Sequence, residues 1–423
     1  MSKKSITSLL IIYKLLLESI YILILNPVFE YSDFTLSLDI YRYLLSWVCF
    51  ILFIPFFLKI FIIEKPSQII LSIFFIISFI PGFVLMAFKP METLHCILYL
   101  LYIFFLFFFN NIVPPIKLLK IRAKRINDFI FYAIVLVCAL SIIYISWRYT
   151  GFRVTLNILD VYGLRSEAKE FTLFLPSALL YVFSFSKLLM PVFCIVFLAQ
   201  NRFIECVIST IITILLFSID GSKTVIFTLV LAFVIYYFYS KPKKLYLITG
   251  MLVISIATLL EWFTIKTFFI ANLIIRRVLF VPVMLERYYY DFFSNNELLL
   301  YGESKLFSWL SPSPYTLSSR YLIGGLYLGD YDCGANNGLF SDAFMNYGIV
   351  GVFVMPFIII LLLRLLDALS KDLDIKILLL IIIRLAFNFI SSSLPTVALT
   401  HGFLAVCFVC YIIPKADTKP RDL

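Results

Sequence analysis

Twelve apolar runs, each of roughly 17 to 25 residues, punctuate the chain near 6–26, 43–63, 68–88, 93–111, 129–147, 174–199, 203–219, 225–240, 245–267, 344–366, 376–392 and 396–413. They are nearly uncharged on every face, without the amphipathic repeat of a soluble helix, and a lipid bilayer is the solvent such runs require. The pattern predicts an all-α, polytopic integral membrane protein of about twelve transmembrane helices, forming a single transmembrane domain over 1–423. The opening Met1-Ser2-Lys3-Lys4 enters the first run without a small-residue cleavage site, so that run reads as a retained helix.

Composition agrees: 62% of the 423 residues are hydrophobic, 14% are charged, and the mean hydropathy is +1.03, more apolar surface than a soluble core buries. The net charge of +10 would suggest a polyanion partner in a soluble protein. Here the basic residues fall at alternate connections instead: Lys59 and Lys65; Lys117, Lys120, Arg122, Lys124 and Arg125; Arg202; Lys241, Lys243 and Lys244; Lys371 and Lys376; then Lys415, Lys419 and Arg421. Basic residues on the cytoplasmic side account for this alternation without nucleic acid, and predict that both termini are cytoplasmic.

That orientation sends a smaller loop at 148–173 and a large one at 268–343 to the opposite, extracytoplasmic side. The large loop carries Arg276, Arg277, Arg287, Arg320, Asp291, Asp330, Asp332 and Asp342 among many aromatic residues. Arginine there departs from the orientation rule, which suggests an anion as its partner, although long loops cross largely regardless of charge. Phe268–Leu285 is apolar but broken by Arg276-Arg277 and Pro282, the pattern of a helix lying in the membrane interface. Its guanidinium groups suit either a lipid pyrophosphate or ordinary anionic headgroups. The following Glu286-Arg287-Tyr288-Tyr289-Tyr290-Asp291-Phe292-Phe293 has the composition of a sugar-binding surface, and equally that of an interfacial aromatic belt.

Arg276-Arg277-Val278-Leu279-Phe280-Val281-Pro282, the Tyr-Tyr-x-Phe-Phe run at 289–293, and Asn337-Gly338-Leu339-Phe340-Ser341-Asp342 before Gly348-Ile349-Val350-Gly351 resemble the O-antigen polymerase family, the Wzy-type enzymes. Gly221-Ser222-Lys223-Thr224 resembles that family's short turn between paired helices, and Val161-Tyr162-Gly163-Leu164-Arg165 its arginine-bearing loop. Many relatives have His where this chain has Asn337, so a base role for that position does not carry over.

The resemblance implies a glycosyltransferase that polymerises undecaprenyl-pyrophosphate-linked oligosaccharide repeat units at the periplasmic face of the bacterial inner membrane. The membrane lipid and a chain-length regulator protein would be its partners. Such chemistry needs charge stabilisation at the departing pyrophosphate and removal of a proton from the acceptor hydroxyl. The corresponding assignment gives charge stabilisation to Arg276, Arg277 and Arg165, assisted by Lys223 and Arg320. Asp342 is the first choice for base and Asp291 the second, while Arg287, Tyr289, Tyr290 and Asn337 contact substrate. The scheme calls for no metal and no cofactor. A lipid-linked oligosaccharide flippase and an O-antigen ligase are the competing readings; the charged late loop favours an enzyme acting on one side over alternating access.

The remaining polar residues change the picture less. Cys407 and Cys410 have CxxC spacing but lie in an apolar run without flanking ligands. Gly221-Ser222-Lys223-Thr224 lacks the spacing of a nucleotide-binding loop. Among charges inside apolar runs, Arg364 and Lys266 lie near helix ends where snorkelling suffices, while Lys187 and Arg384 are central enough to line a polar groove, with pairing or snorkelling the alternative. His95 and His401 read as satisfied packing residues.

Overall fold

The apolar runs fold as helices, and the computed structural model describes residues 3–61, 65–118, 124–155, 161–239 and 245–413. In chain order these are α1 (Lys3–Ser32), α2 (Ile40–Phe61), α3 (Pro66–Phe88), α4 (Thr93–Ile112), α5 (Lys124–Ile145) and α6 (Val161–Thr172). There follow α7 (Ser177–Ala199), α8 (Phe203–Asp220), α9 (Lys223–Phe238), α10 (Leu245–Thr264), α11 (Ala271–Phe280) and α12 (Val281–Phe293). The last four are α13 (Ser319–Leu328), α14 (Leu339–Leu369), α15 (Ile375–Ser391) and α16 (Thr396–Ile412).

Among the described residues, nine helices are long and apolar enough to cross a membrane, which makes the chain an all-α, multi-pass membrane protein. The other three apolar runs fold as α9, α15 and α16, which fall short of that length. The basic residues Lys120, Arg122, Lys241, Lys243, Lys244, Lys415, Lys419 and Arg421 lie outside the described residues.

The helices group into two compact units, one made of 1–114, 243–364 and 386–394, the other of 115–242, 365–385 and 395–423. In the first, α3 is the interior helix: 94% of its apolar window is buried, as expected of a helix apolar on all sides. It packs on α2 and on the α11–α12 segment, while α1 packs on α10. In the second, α7 is central and touches α5, α8, α9 and α16, and α6 lies against α8.

One polar girder fastens the first unit. Arg364 was expected to snorkel, yet it is 7% exposed and donates Nε to the Val113 carbonyl at 3.3 Å, Nη1 to Ser67 Oγ at 3.2 Å and Nη2 to the Asn110 carbonyl at 2.5 Å. The end of α4 leaves carbonyls without partners in the helix, and a guanidinium fork suits several of them at once. Gln68 Nε2 donates to Asn110 Oδ1 at 2.8 Å and ties α3 to the same corner.

The long stretch anticipated as a loop at 268–343 is partly helical. Ala271, Ile275 and Leu279 are buried while Leu273 and Arg277 are exposed, so one face of α11 is held by the unit's core. The start of this segment is capped from α10. Glu261 Oε1 accepts from the Phe269 N–H at 2.6 Å and the Thr267 hydroxyl at 2.7 Å, and Oε2 accepts from the Ile270 N–H at 2.8 Å. A carboxylate at a helix start satisfies orphan donors and complements the helix dipole.

Candidate functional site

Sequence positions singled out for chemistry divide between the two units, and each unit builds its own polar group.

In the first unit, α14 is two helices joined at a kink. Gly348 adopts φ 54°, ψ −135°, a conformation closed to residues with a Cβ, and the helix resumes beyond it. The second glycine of the Gly-x-x-Gly pair is equally constrained, because a Cβ on Gly351 would lie 2.0 Å from the Ala343 carbonyl oxygen. The kink frees carbonyls at the end of the first half, and the preceding segment takes them: the Leu299 N–H donates to Met345 O at 3.0 Å and the Leu300 N–H to Asn346 O at 3.2 Å. Leu300 and Tyr301 hold φ of 47° and 60° to make this pairing.

Asp342 lies at the centre of that junction, 4% exposed. Its Oδ2 accepts from the Tyr301 hydroxyl and the Leu394 N–H, both at 2.8 Å, and its Oδ1 accepts from Asn346 Nδ2 at 3.1 Å. A carboxylate with three donors already aimed at it holds Tyr301 and Leu394 against α14. Gly338 allows the close approach, since a Cβ there would meet the Phe389 carbonyl oxygen at 2.4 Å. Asn337 is half-buried and directs Nδ2 at Met345 Sδ, 3.3 Å away.

The aromatic run on α12 turns inward. Tyr289 and Tyr290 are 0% and 1% exposed; Tyr289 donates to the Ala335 carbonyl and Tyr290 to Glu92 Oε2, each at 2.8 Å. The Tyr290 ring stacks on His95 with centroids 4.5 Å apart, and Tyr289 on Phe293 at 6.2 Å. These two tyrosines were expected to contact a sugar; their rings are buried against neighbouring rings.

What α12 does present outward is ionic. Arg287 and Asp291, one turn apart, approach to 3.5 Å. Asp33, at the end of α1, pairs with Lys89 at 2.6 Å and accepts from the Tyr288 hydroxyl at 2.8 Å. Tyr288 stacks on Tyr327 of α13 with centroids 4.7 Å apart. The environments of the two aspartates pull them in opposite directions. Burial alone would raise Asp33, but hydrogen bonds from Lys89 and Tyr288 outweigh it and hold the carboxyl below its ordinary range. Burial pushes Asp291 up; Arg287 opposes the shift, and the negative charges of Glu92 and Asp33 add to it. The two carboxyls lie within electrostatic reach of one another and are driven apart by their surroundings.

Of the predicted cation sites in this unit, Arg277 is exposed on α11. Arg276 lies over the Phe29 ring at 4.6 Å and donates Nε to Asn272 Oδ1 at 3.0 Å. Arg320 is exposed on α13, its guanidinium over the Tyr321 ring at 4.5 Å. Asp33, Lys89 and Glu92 escaped sequence reasoning. They flank apolar runs and looked like connection residues, and only the fold carries them to α12.

Arg165 and Lys223 belong to the second unit, with α6 packed beside the turn that opens α9: a Cβ on Gly221 would meet the Val161 carbonyl oxygen at 3.0 Å. Arg165 is exposed and Lys223 half-buried. At the same turn Lys187 forms an ion pair with Asp220, and Arg384 Nη2 donates to Thr224 Oγ1 at 3.2 Å. His401 lies within electrostatic reach of both Lys187 and Arg384. The two basic residues expected to line a polar groove thus meet at one turn. Among the described residues, no group of three His, Cys, Asp or Glu side chains has the arrangement of a metal site. Compared with models of protein families, with curated proteins and with solved structures, the chain matches none of them.

Proposed function

We infer that this membrane protein polymerises lipid-linked oligosaccharide, joining repeat units carried on undecaprenyl pyrophosphate. The observation that carries the reading is the ionic group on α12, where Asp291, Arg287, Asp33, Lys89 and Glu92 meet a stacked tyrosine pair on the helix that continues from the exposed Arg277.

In this reading Arg277, with Arg276 behind it, stabilises the charge on the pyrophosphate as the sugar leaves. Asp291, whose carboxyl is held above its ordinary range, takes the proton from the attacking hydroxyl, and Arg287 keeps it oriented. Asp342 fixes the scaffold. The bond from the anomeric carbon to the pyrophosphate oxygen breaks as the acceptor oxygen bonds to that carbon; the electron pair stays on the pyrophosphate and the acceptor proton passes to Asp291. Counting α9, α15 and α16 as crossings gives twelve spans, with both termini in the cytoplasm of a bacterial inner membrane and the α12 group on the periplasmic side.

Deleting the gene in its own host tests the reading. Core lipid capped with a single repeat unit, and a full ladder restored by a plasmid copy, is the expected outcome. A core with no repeat at all overturns it in favour of a flippase or a ligase.

A further inference from the structure

A second group of polar side chains in the first unit lies under the α12 surface and takes no part in the scheme above. Glu286 is 3% exposed, and its Oε2 has no hydrogen-bond partner. It faces a small cavity of about 10 Å³ for the centre of a water molecule, lined also by Gly82 and Met86 of α3 and by Met91, His95 and Tyr99 at the start of α4. That is room for about one water. His95 Nε2 and the hydroxyls of Tyr99 and Tyr102 are buried nearby, likewise without partners of hydrogen-bonding geometry. Gly82 makes room for the Tyr99 hydroxyl, which lies 2.3 Å from where a Cβ would stand.

Three buried polar groups left unpaired around one cavity, with the Tyr102 hydroxyl within electrostatic reach, cost several kcal/mol unless the cavity serves them. The neighbours identify what the carboxyl does. The titratable groups facing it are His95, Cys96, Tyr99 and Tyr102, all on α4; α3 contributes only Gly82 and Met86 to the cavity. Arg287, next along α12, is engaged with Asp291. Burial raises Glu286 well above the ordinary carboxylate range, which favours its neutral form. A buried carboxyl and an imidazole lining one water-sized cavity make a place for a proton. On its other side His95 stacks on Tyr290, whose hydroxyl donates to the exposed Glu92.

We propose that Glu286 is an internal proton-binding site, which holds a proton at rest and exchanges it with the surface through a water in the cavity and His95 Nε2. Release leaves a carboxylate at Glu286 and the proton on the cavity water or on His95 Nε2; uptake is the reverse, and no other reactant is consumed.

Infrared spectra of the full-length protein in detergent test this directly. At neutral pH the wild type should show a protonated-carboxyl C=O band that is absent from Glu286→Gln, displaced in Glu286→Asp, and shifted within minutes of transfer to D2O. Replacement of the proton acceptor, His95→Phe, should slow that shift about a hundredfold, the usual contribution of one positioned acceptor. A spectrum in which Glu286→Gln loses no such band overturns the proposal, as does a band unmoved after a day in D2O. A shift as fast in His95→Phe as in the wild type removes the His95 route. Should Glu286→Gln not be recovered folded, the displaced band of Glu286→Asp makes the assignment.

Discussion

The Glu261 carboxylate reaches eight and nine residues along the chain to accept the backbone N–H groups of Phe269 and Ile270, at 2.6 and 2.8 Å. An acidic residue at the end of an apolar helix is thereby the start of the next element. It fixes how α11 leaves α10 and hence where Arg277 stands.

Loss of that cap should be felt as stability. Glu261→Ala should cost about 1–2 kcal/mol, the upper range for a capping side chain. Glu261→Gln should cost less, because the amide oxygen still accepts one of the two N–H groups. Thermal unfolding of the purified variants in detergent measures both; equal midpoints for wild type and Glu261→Ala would contradict the capping role.

The kink in α14 makes a sharper demand. Gly348→Ala should destabilise by about 1–3 kcal/mol through backbone strain alone. Gly351→Ala should be worse, since its Cβ meets a backbone oxygen that has little room to move. Recovery of monodisperse protein and its midpoint on heating are the measurements, with the order wild type, Gly348→Ala, Gly351→Ala from most to least stable.

Two aspartates should separate by phenotype. Asp291→Asn should lower polymerisation about a hundredfold or more, the usual contribution of a general base, with the unfolding midpoint little changed. Asp342→Asn turns an amide toward three donors and should cost about 1–3 kcal/mol of stability for each donor left unsatisfied. With Asp291 as base, the rate should rise with pH as its carboxyl ionises, from above the ordinary aspartate range. A rate independent of pH there would remove Asp291 from the mechanism.

Asp33 gives a pH dependence of the opposite origin. Its folded-state carboxyl is held below the unfolded value, so its contribution to stability is present above the unfolded pKa and is lost as pH falls through the folded one. Asp33→Asn should therefore unfold earlier than wild type at neutral pH and show a flatter decline of midpoint on acidification. Parallel curves would mean that the Lys89 and Tyr288 contacts contribute nothing to stability.

Much of the helical framework could be read from hydropathy, because a bilayer-spanning segment must satisfy its backbone internally and so announces itself by length and apolarity. The glycines of the Gly-Ile-Val-Gly stretch were also legible as a pattern, and the kink gives them a physical reason. The site was less so. Tyr289 and Tyr290 have the composition of a sugar platform, but residue type does not say which side of α12 faces the core. Asp33, Lys89 and Glu92 are remote in sequence from 287–291 and meet it only through packing. Glu286 was visible as one acid in an aromatic run, and nothing in that run tells of the cavity formed by α3 and α4. Arg364 failed for a related reason: a basic residue near a helix end has the same signature whether it reaches water or the carbonyls of a neighbouring helix.

The three donors on Asp342 also set a schedule. Tyr301 precedes the aspartate by 41 residues and Leu394 follows it by 52. During synthesis the carboxylate is made with Tyr301 already present and Leu394 still to be translated. The junction locks only when the 386–394 segment arrives to cover Gly338 and supply the Leu394 N–H. Maturation of the first unit is thus tied to a late part of the nascent chain, and a ribosome stalled before residue 394 would leave the α14 elbow without its clasp.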